Sequence, residues 1–333
     1  MGENKKLKEE FCVFFDVLGT KNKFLTSNFE EEEKLVKNYE NFIKDIKEIL
    51  KENGFEEDKI KLFSDNIFIN FPNTTLKEMY KVFNCLAYIQ IIAIEKYNFL
   101  LRGGVEYSTI YNEKDIVIGK GLVEAVKLEE EANYPIIMLG KRAKEEFLRM
   151  FKEEKEETLK KYKNFVHTII RIDDKMYINY LLLYYEKNQE KSLNILLKHR
   201  EFIRERLIEN SKEFYKNTDY IEKDILGIHF FYKIFEYRKY DILENMNQAK
   251  EQNNIEEYKR LESTELNFEK EIENKEKEFN EFKGKLKDNE ESILKIREKY
   301  LYLFNYHNKM ANFLMKNNED EKTKCSIDFK EII

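Results

Sequence analysis

The chain has 333 residues, 37% of them charged, with a formal net charge of −6 and only 2 prolines. That length allows two domains and a sizeable core. The scarcity of proline favours long helices over a loop-rich all-β protein, and the acidic balance, with lysine and glutamate interspersed, excludes a global basic field that would draw nucleic acid.

Cys12, Cys85 and Cys325 lie far apart and outline neither a disulfide framework nor a zinc site. The first residues are polar, with no signal-peptide core, and the longest apolar runs, 89–94 and 181–185, are too short to span a bilayer. The expectation is a soluble, reduced, cytoplasmic protein without a membrane or stable nucleic-acid partner.

In chain order, residues 11–17 read as a buried strand, short, aromatic and β-branched. Residues 20–51 read as a helix with Phe24, Leu35, Tyr39, Phe42, Ile46 and Ile49 on its apolar stripe, stopped by Gly54. Residues 59–71 form a hairpin turning at Ser64-Asp65-Asn66, ended by Pro72. Thr74 or Thr75 caps a helix running to about Tyr97. A strand follows over 100–111, interrupted by Gly103-Gly104, then a short strand at 115–118, a helix over 119–132 and a buried strand at 135–139. The order β-α-β-β-α-β, with additions, predicts an α+β, ferredoxin-like, palm-type core in residues 1–150.

From about Lys141 the chain reads as almost wholly helical, a second domain over 151–333. Ile221, Ile225, Ile228, Tyr232, Phe235, Ile242 and Met246 alternate at spacings of three and four. So do Phe268, Ile272, Phe279, Phe282, Leu286, Ile293, Ile296, Tyr300, Leu303, Met310 and Leu314, with Lys275 and Asn289 as polar interruptions. With a loop at 250–255, this predicts an antiparallel coiled-coil hairpin over about 219–314. A tail after Asn317 reads as loose.

Two acids stand out. Asp16 closes the first strand and Asp65 sits at the hairpin turn. A carboxylate at a buried strand end is costly unless compensated, and two side by side repel until a divalent cation joins them. The sharp reading is a two-metal phosphoryl-transfer site using Mg²⁺ or Mn²⁺. The bland one is two unrelated surface aspartates. His167, His199, His229 and His307 lack metal-ligand spacing, and His307 falls on the helical seam as a packed side chain.

Residues 11–140 resemble the class III nucleotide cyclase homology domain. The strand ending in aspartate is Phe14 to Gly19. The hairpin pattern Lys-x-x-Gly-Asp is met by Lys61 to Asp65, with Ser64 for glycine. Arg102-Gly103-Gly104-Val105 follows, then a Gly-led helix from Gly119 to Leu128-Glu129. Phe15 to Gly19, Phe63 to Asp65, Arg102 to Gly104, Tyr134-Pro135, Lys299-Tyr300 and Tyr306 to Asn308 are also similar to a bacterial subset, the pyrimidine cyclases of Pycsar anti-phage defence.

The resemblance implies a nucleotidyl cyclase that converts a nucleoside triphosphate, UTP or CTP favoured, to a 3′,5′-cyclic mononucleotide (cUMP or cCMP) and pyrophosphate. It implies a homodimer, since class III sites lie between two domains, and a separate effector that reads the cyclic nucleotide. Asp16 and Asp65, with the Val17 carbonyl, would hold the metals. The amides of Leu18, Gly19 and Thr20 would cradle phosphate, with Ser64 on the hairpin beside them. Lys61 stands where the family reads the base, or is an ordinary surface lysine. Arg102 braces the sheet in preference to touching phosphate. Lys120, Lys127 and Lys141 are candidates for the triphosphate. The family's Asn and Arg positions hold Val123 and Lys127; lysine keeps the charge but not the fork, and Ile116 offers no hydrogen bond to a base. These departures disfavour an ordinary adenylate cyclase. A palm-type synthase of cyclic oligonucleotides lacks its usual Gly-Gly-Asp-Asp hairpin here, and a catalytically silent nucleotide-binding scaffold is the reading from another class.

Overall fold

The computed structural model describes residues 7–72, 75–114, 116–132, 134–153, 168–172, 175–187, 189–217, 225–284, 286, 288–315, 322 and 324–327. They divide into two compact units, Met1–Ile195 and Leu196–Ile333. None of the described helices is long and apolar enough to cross a membrane, and all three cysteines are buried thiols outside any disulfide.

The first unit is built on an eight-stranded sheet. Its strands are β1 (Lys8–Val17), β2 (Ile60–Phe63), β3 (Asn66–Pro72), β4 (Leu101–Glu113), β5 (Ile116–Ile118), β6 (Ile137–Leu139), β7 (Ile169–Ile172) and β8 (Lys175–Ile178). The order is β2-β3-β1-β4-β6-β8-β7, with β5 paired to β4. β1 lies between β3 and β4, antiparallel to both, so Asp16 stands opposite Asn66 on one side and Arg102 on the other.

The helices of this unit are α1 (Thr20–Thr26), α2 (Phe29–Glu52), α3 (Leu76–Tyr97), α4 (Lys120–Glu131), α5 (Lys141–Glu153) and α6 (Tyr180–Lys187). The single helix expected over 20–51 is two. Asn28 breaks it, because its side chain accepts the Glu31 amide while the Glu31 carboxylate accepts the Asn28 amide, a complete capping box. Gly54, at φ +81°, follows the end of α2. Thr75, rather than Thr74, caps α3 by accepting the Glu78 amide.

Even-numbered residues of β1 and β4 face α4. Cys12, Phe14, Phe68, Ile110 and Ala125 form one buried cluster there. Two glycines let this helix lie close. A Cβ on Gly104 would stand 2.8 Å from the Ala125 carbonyl oxygen and inside contact of Leu128, and one on Gly121 would collide with the Cys12 sulfur.

The expectation of an almost wholly helical chain after Lys141 is corrected by β7 and β8, which extend the sheet through β6. Each is only four residues long, and runs that short do not declare a period.

The second unit contains the C-terminal part of α7 (Gln189–Asn217), with α8 (Ile225–Glu251), α9 (Ile255–Lys283) and α10 (Asp288–Leu314). Phe279, late in α9, packs on Ile228 and Tyr232, early in α8. Met246 and Ala249, late in α8, pack on Leu261 and Tyr258, early in α9. The two helices are therefore an antiparallel hairpin, joined at 252–254, where Asn253 takes φ +53° and Asn254 caps α9.

The seam expected to continue from Phe268 to Leu314 is interrupted. α9 ends at Lys283, Gly284 follows, and α10 begins at Asp288 with an acidic first turn. Of the expected seam in α10, Ile293, Leu303 and Met310 are buried and Ile296 is exposed, while Leu294, Arg297, Leu301 and Phe304 are buried as well. His307 is fully buried, its Nδ1 3.0 Å from His199 Nδ1 and its Nε2 donating to the Cys325 carbonyl at 2.7 Å. Ile221, the side chains of Phe268, Phe282 and Asn289, and most of the tail after Asn317 lie outside the described residues.

The close approach at Gly104 gives a direct test. Gly104→Ala must push α4 off β4 and should destabilise the chain by about 1–3 kcal/mol, measured as a lower urea midpoint at unchanged slope. An unchanged midpoint would refute the contact.

Candidate active site at the end of the first strand

β1 carries Asp16 to its own C-terminal end, and the β2–β3 turn brings Asp65 beside it, one residue before Asp16's cross-strand partner Asn66. Ser64 leads that turn at φ +61°, the left-handed region in which glycine is favoured over any other residue. The Asp65 charge reaches both Asp16 and Tyr39 of α2.

Arg102, opposite Asp16 on β4, holds two acids at once. Its Nη2 lies 3.5 Å from Asp16 Oδ2 and is also ion-paired with Glu129 Oε1. Glu129 sits on α4 with its side chain 7% exposed. The site is therefore two carboxylates on one guanidinium, with the Asp65 charge reaching Asp16 from the hairpin turn, and the close packing at Gly104 is what delivers Glu129 to it.

The electrostatics follow. Burial pushes the Asp16 carboxyl above its ordinary range; Arg102 and a hydrogen bond with Glu129 pull it back, while Asp65 pushes it further. Burial, and then the charge of Asp16, raise Glu129 to about 7 despite Arg102. The Tyr39 hydroxyl is pushed up by burial and by both aspartates. Asp16 Oδ1 and the Tyr39 hydroxyl are buried without a hydrogen-bond partner among the described residues.

That unpartnered Asp16 oxygen, repelled by Asp65, is the feature a cation would satisfy. Among the described residues no three His, Cys, Asp or Glu side chains form a metal cluster. Asp16 and Asp65 supply two carboxylates, which suits a hard ion that keeps water and phosphate as its other ligands. The Val17 carbonyl already accepts the Thr20 hydroxyl at 2.6 Å and has one lone pair left.

The other expected residues are placed less favourably. The Leu18 amide donates to the Leu100 carbonyl at 2.8 Å, so it is withdrawn from a phosphate cradle. Gly19 precedes α1 at φ +82°. The Lys61 ammonium donates to the backbone carbonyl of Lys114, tying the hairpin to the β4–β5 turn. Lys120 pairs with Glu124 at 3.3 Å and Lys141 with Glu145 at 3.9 Å, each along its own helix. Lys127 is exposed on α4, and Val123 and Ile116 present bare apolar side chains.

Sequence reasoning gave no role to Glu129 or Tyr39. Glu129 was visible only as the close of the Leu128-Glu129 pattern, and Tyr39 as one more apolar-stripe residue.

No family model and no curated protein matches the chain. Among solved structures it is similar to the guanylyl cyclase Cya2, at 14% identity and a TM-score of 0.36 over 44% of this chain and 81% of that one. It is similar also to the adenylyl cyclase CyaB from P. aeruginosa, at 14% identity and a TM-score of 0.37 over 52% and 94%. Neither overlap is close enough to carry an argument about this chain.

The raised Glu129 carboxyl sets a sign for pH. Its proton is held more tightly folded than unfolded, so its contribution is fully present below about 4.5 and is lost as pH rises through about 7. Glu129→Gln cannot ionise. In metal-free buffer, the unfolding free energy of wild type should fall against that of Glu129→Gln between pH 4.5 and 7, by at most about 3 kcal/mol. Parallel pH profiles would show that Glu129 is not held this way.

Proposed function

We propose that the chain is a nucleotide cyclase, forming a 3′,5′-cyclic mononucleotide and pyrophosphate from a nucleoside triphosphate, on a ferredoxin-like palm made of β1 to β4. The observation that carries this is the meeting of Asp16 and Asp65 at a strand end and a hairpin turn, with one Asp16 oxygen buried and unpartnered. The resemblance of residues 11–140 to class III cyclases supports the same reading.

Asp16 and Asp65, with the remaining lone pair of the Val17 carbonyl, would hold Mg²⁺ or Mn²⁺. Such ions lower the pKa of the ribose 3′-hydroxyl and neutralise the triphosphate. Arg102 keeps Asp16 aimed, and Glu129 keeps Arg102 from collapsing onto Asp16 alone. Gly19 and Thr20, with Ser64, border the phosphate position. Lys127, and Lys120 and Lys141 once released from Glu124 and Glu145, contribute positive charge from the α4 and α5 surfaces.

Homodimerisation is part of this reading. Leu62 and Phe63 of β2, Ile116 and Ile118 of β5 and Val123 of α4 are all exposed, and the Lys61–Lys114 contact joins β2 to the turn that leads into β5. Apolar side chains grouped in this way suit a second copy of the chain. The base is a pyrimidine: Lys61, exchanging the Lys114 carbonyl for the base O2, supplies one cationic donor beside the apolar Ile116. The product would signal to a separate effector in anti-phage defence.

Asp16→Asn and Asp65→Asn should each lower turnover at least about 10³-fold while leaving the thermal midpoint unchanged or higher, since each removes a repelling charge. Turnover within tenfold of wild type in either variant would exclude the metal site.

Base choice is tested by incubating equal concentrations of the four triphosphates with Mn²⁺ and resolving products by mass. UTP or CTP should be consumed first, and Lys61→Ala should erode that preference by roughly 10–100-fold, the worth of a hydrogen bond to a charged group. Preferred use of ATP or GTP would overturn the pyrimidine assignment. Chain-joined products would identify an oligonucleotide synthase, and no product a silent nucleotide-binding scaffold.

A further inference from the structure

Among the described residues Arg297 of α10 is the largest fully buried side chain, at 0% exposure. Its Nη1 is anchored, donating to Ser211 Oγ at 2.8 Å and to the Leu207 carbonyl at 3.2 Å on α7. Its Nε and Nη2 have no hydrogen-bond partner among the described residues. Those two nitrogens form one edge of the guanidinium, the fork that matches two oxygens of a carboxylate or phosphate.

Among the described residues no ion pair meets this charge. Glu298, next in sequence, turns instead to His229 Nε2 at 3.3 Å and Lys233 Nζ at 3.6 Å. Among the described residues no carboxylate pairs with Arg297. Burial lowers the guanidinium only to about 10, so it is charged at neutral pH. Phe214, Ile293 and Leu294 pack in the same part of the bundle. A charge buried among such residues with three of its five N–H donors idle is strongly unfavourable. Evolution toward a stable bundle alone would favour a methionine here.

We propose that Arg297 is the floor of an internal oxyanion site in the helical unit. The Nε/Nη2 edge takes two oxygens of one small ligand, a phosphate or a carboxylate, and Ser211 and the Leu207 carbonyl hold the fork in place to receive it. The site is separate from the Asp16–Asp65 centre and does not depend on the cyclase reading.

The test uses the full-length protein in Tris chloride, with inorganic phosphate or sodium acetate added at constant ionic strength. Phosphate, acetate or both should raise the wild-type Tm in proportion to the logarithm of concentration, by roughly 5 °C or more at a hundredfold excess over Kd. The shift should vanish in Arg297→Met, which should be at least as stable as wild type without added anion. Whichever anion acts identifies the source. Should Arg297→Met fail to fold, Arg297→Lys keeps the charge without the fork. Equilibrium dialysis of radiolabelled phosphate and acetate should then show saturable binding of a single anion to wild type and none to Arg297→Lys. No shift with either anion, or an equal shift in wild type and Arg297→Met, would overturn the proposal and leave Arg297 hydrated only.

Discussion

One guanidinium shared between two buried carboxylates is the constraint on which the first unit depends. Arg102 reaches Asp16 across the β1–β4 ladder and Glu129 across the helix–sheet interface. Neither acid could stay buried without it, because an uncompensated carboxylate in a dry site takes up a proton or refuses burial. The geometry requires α4 to ride low over β4, and Gly104 supplies the missing side chain that permits this. The two glycines after Arg102 thus serve different neighbours. Gly104 admits the helix, and Gly103 admits β1, where a Cβ would stand 2.6 Å from the Phe14 carbonyl oxygen.

Much of this was legible in the sequence. The apolar run ending in Asp16 and the turn residues at 64–66 each report a local rule, and these elements are where the rules put them; the double glycine does not interrupt its strand as expected, because β4 runs unbroken through Gly103 and Gly104 in register with β1. What periodicity could not report was a single charged residue turned inward. Glu129 and Arg297 both sit at positions whose neighbours read as ordinary amphipathic helix, and a pattern of apolar spacing is blind to a polar side chain that is buried because another group compensates it. The break at Asn28 is a different kind of miss. Asn28 and Glu31 were readable as a capping box, and the apolar stripe on either side outweighed them.

The second unit shows the limit of heptad reading from the other direction. The α8–α9 hairpin follows its expected spacing, but Gly284 ends α9 where a continuous seam would have carried on, because glycine favours a helix end over a helix interior. The change of direction lets α10 present Arg297, Leu301 and Phe304 to its neighbours in place of Ile296, and it brings His307 against His199. Burial depresses both of these imidazoles, His307 to about 4. Since His307 Nε2 donates to the Cys325 carbonyl, a neutral pair requires His199 to donate through Nδ1, and a single tautomer of each ring follows from one backbone contact.

The collision that a side chain at Gly121 would have with Cys12 has a kinetic consequence. The thiol lies beneath the first turn of α4 with no path to solvent while the helix is seated, and burial with the nearby acids Glu10, Glu106 and Glu124 keeps it protonated. A reagent can mark Cys12 only in the moments when α4 lifts. The same helix carries Glu129, so the labelling rate of one sulfur is a clock for how often the carboxylate cluster comes apart.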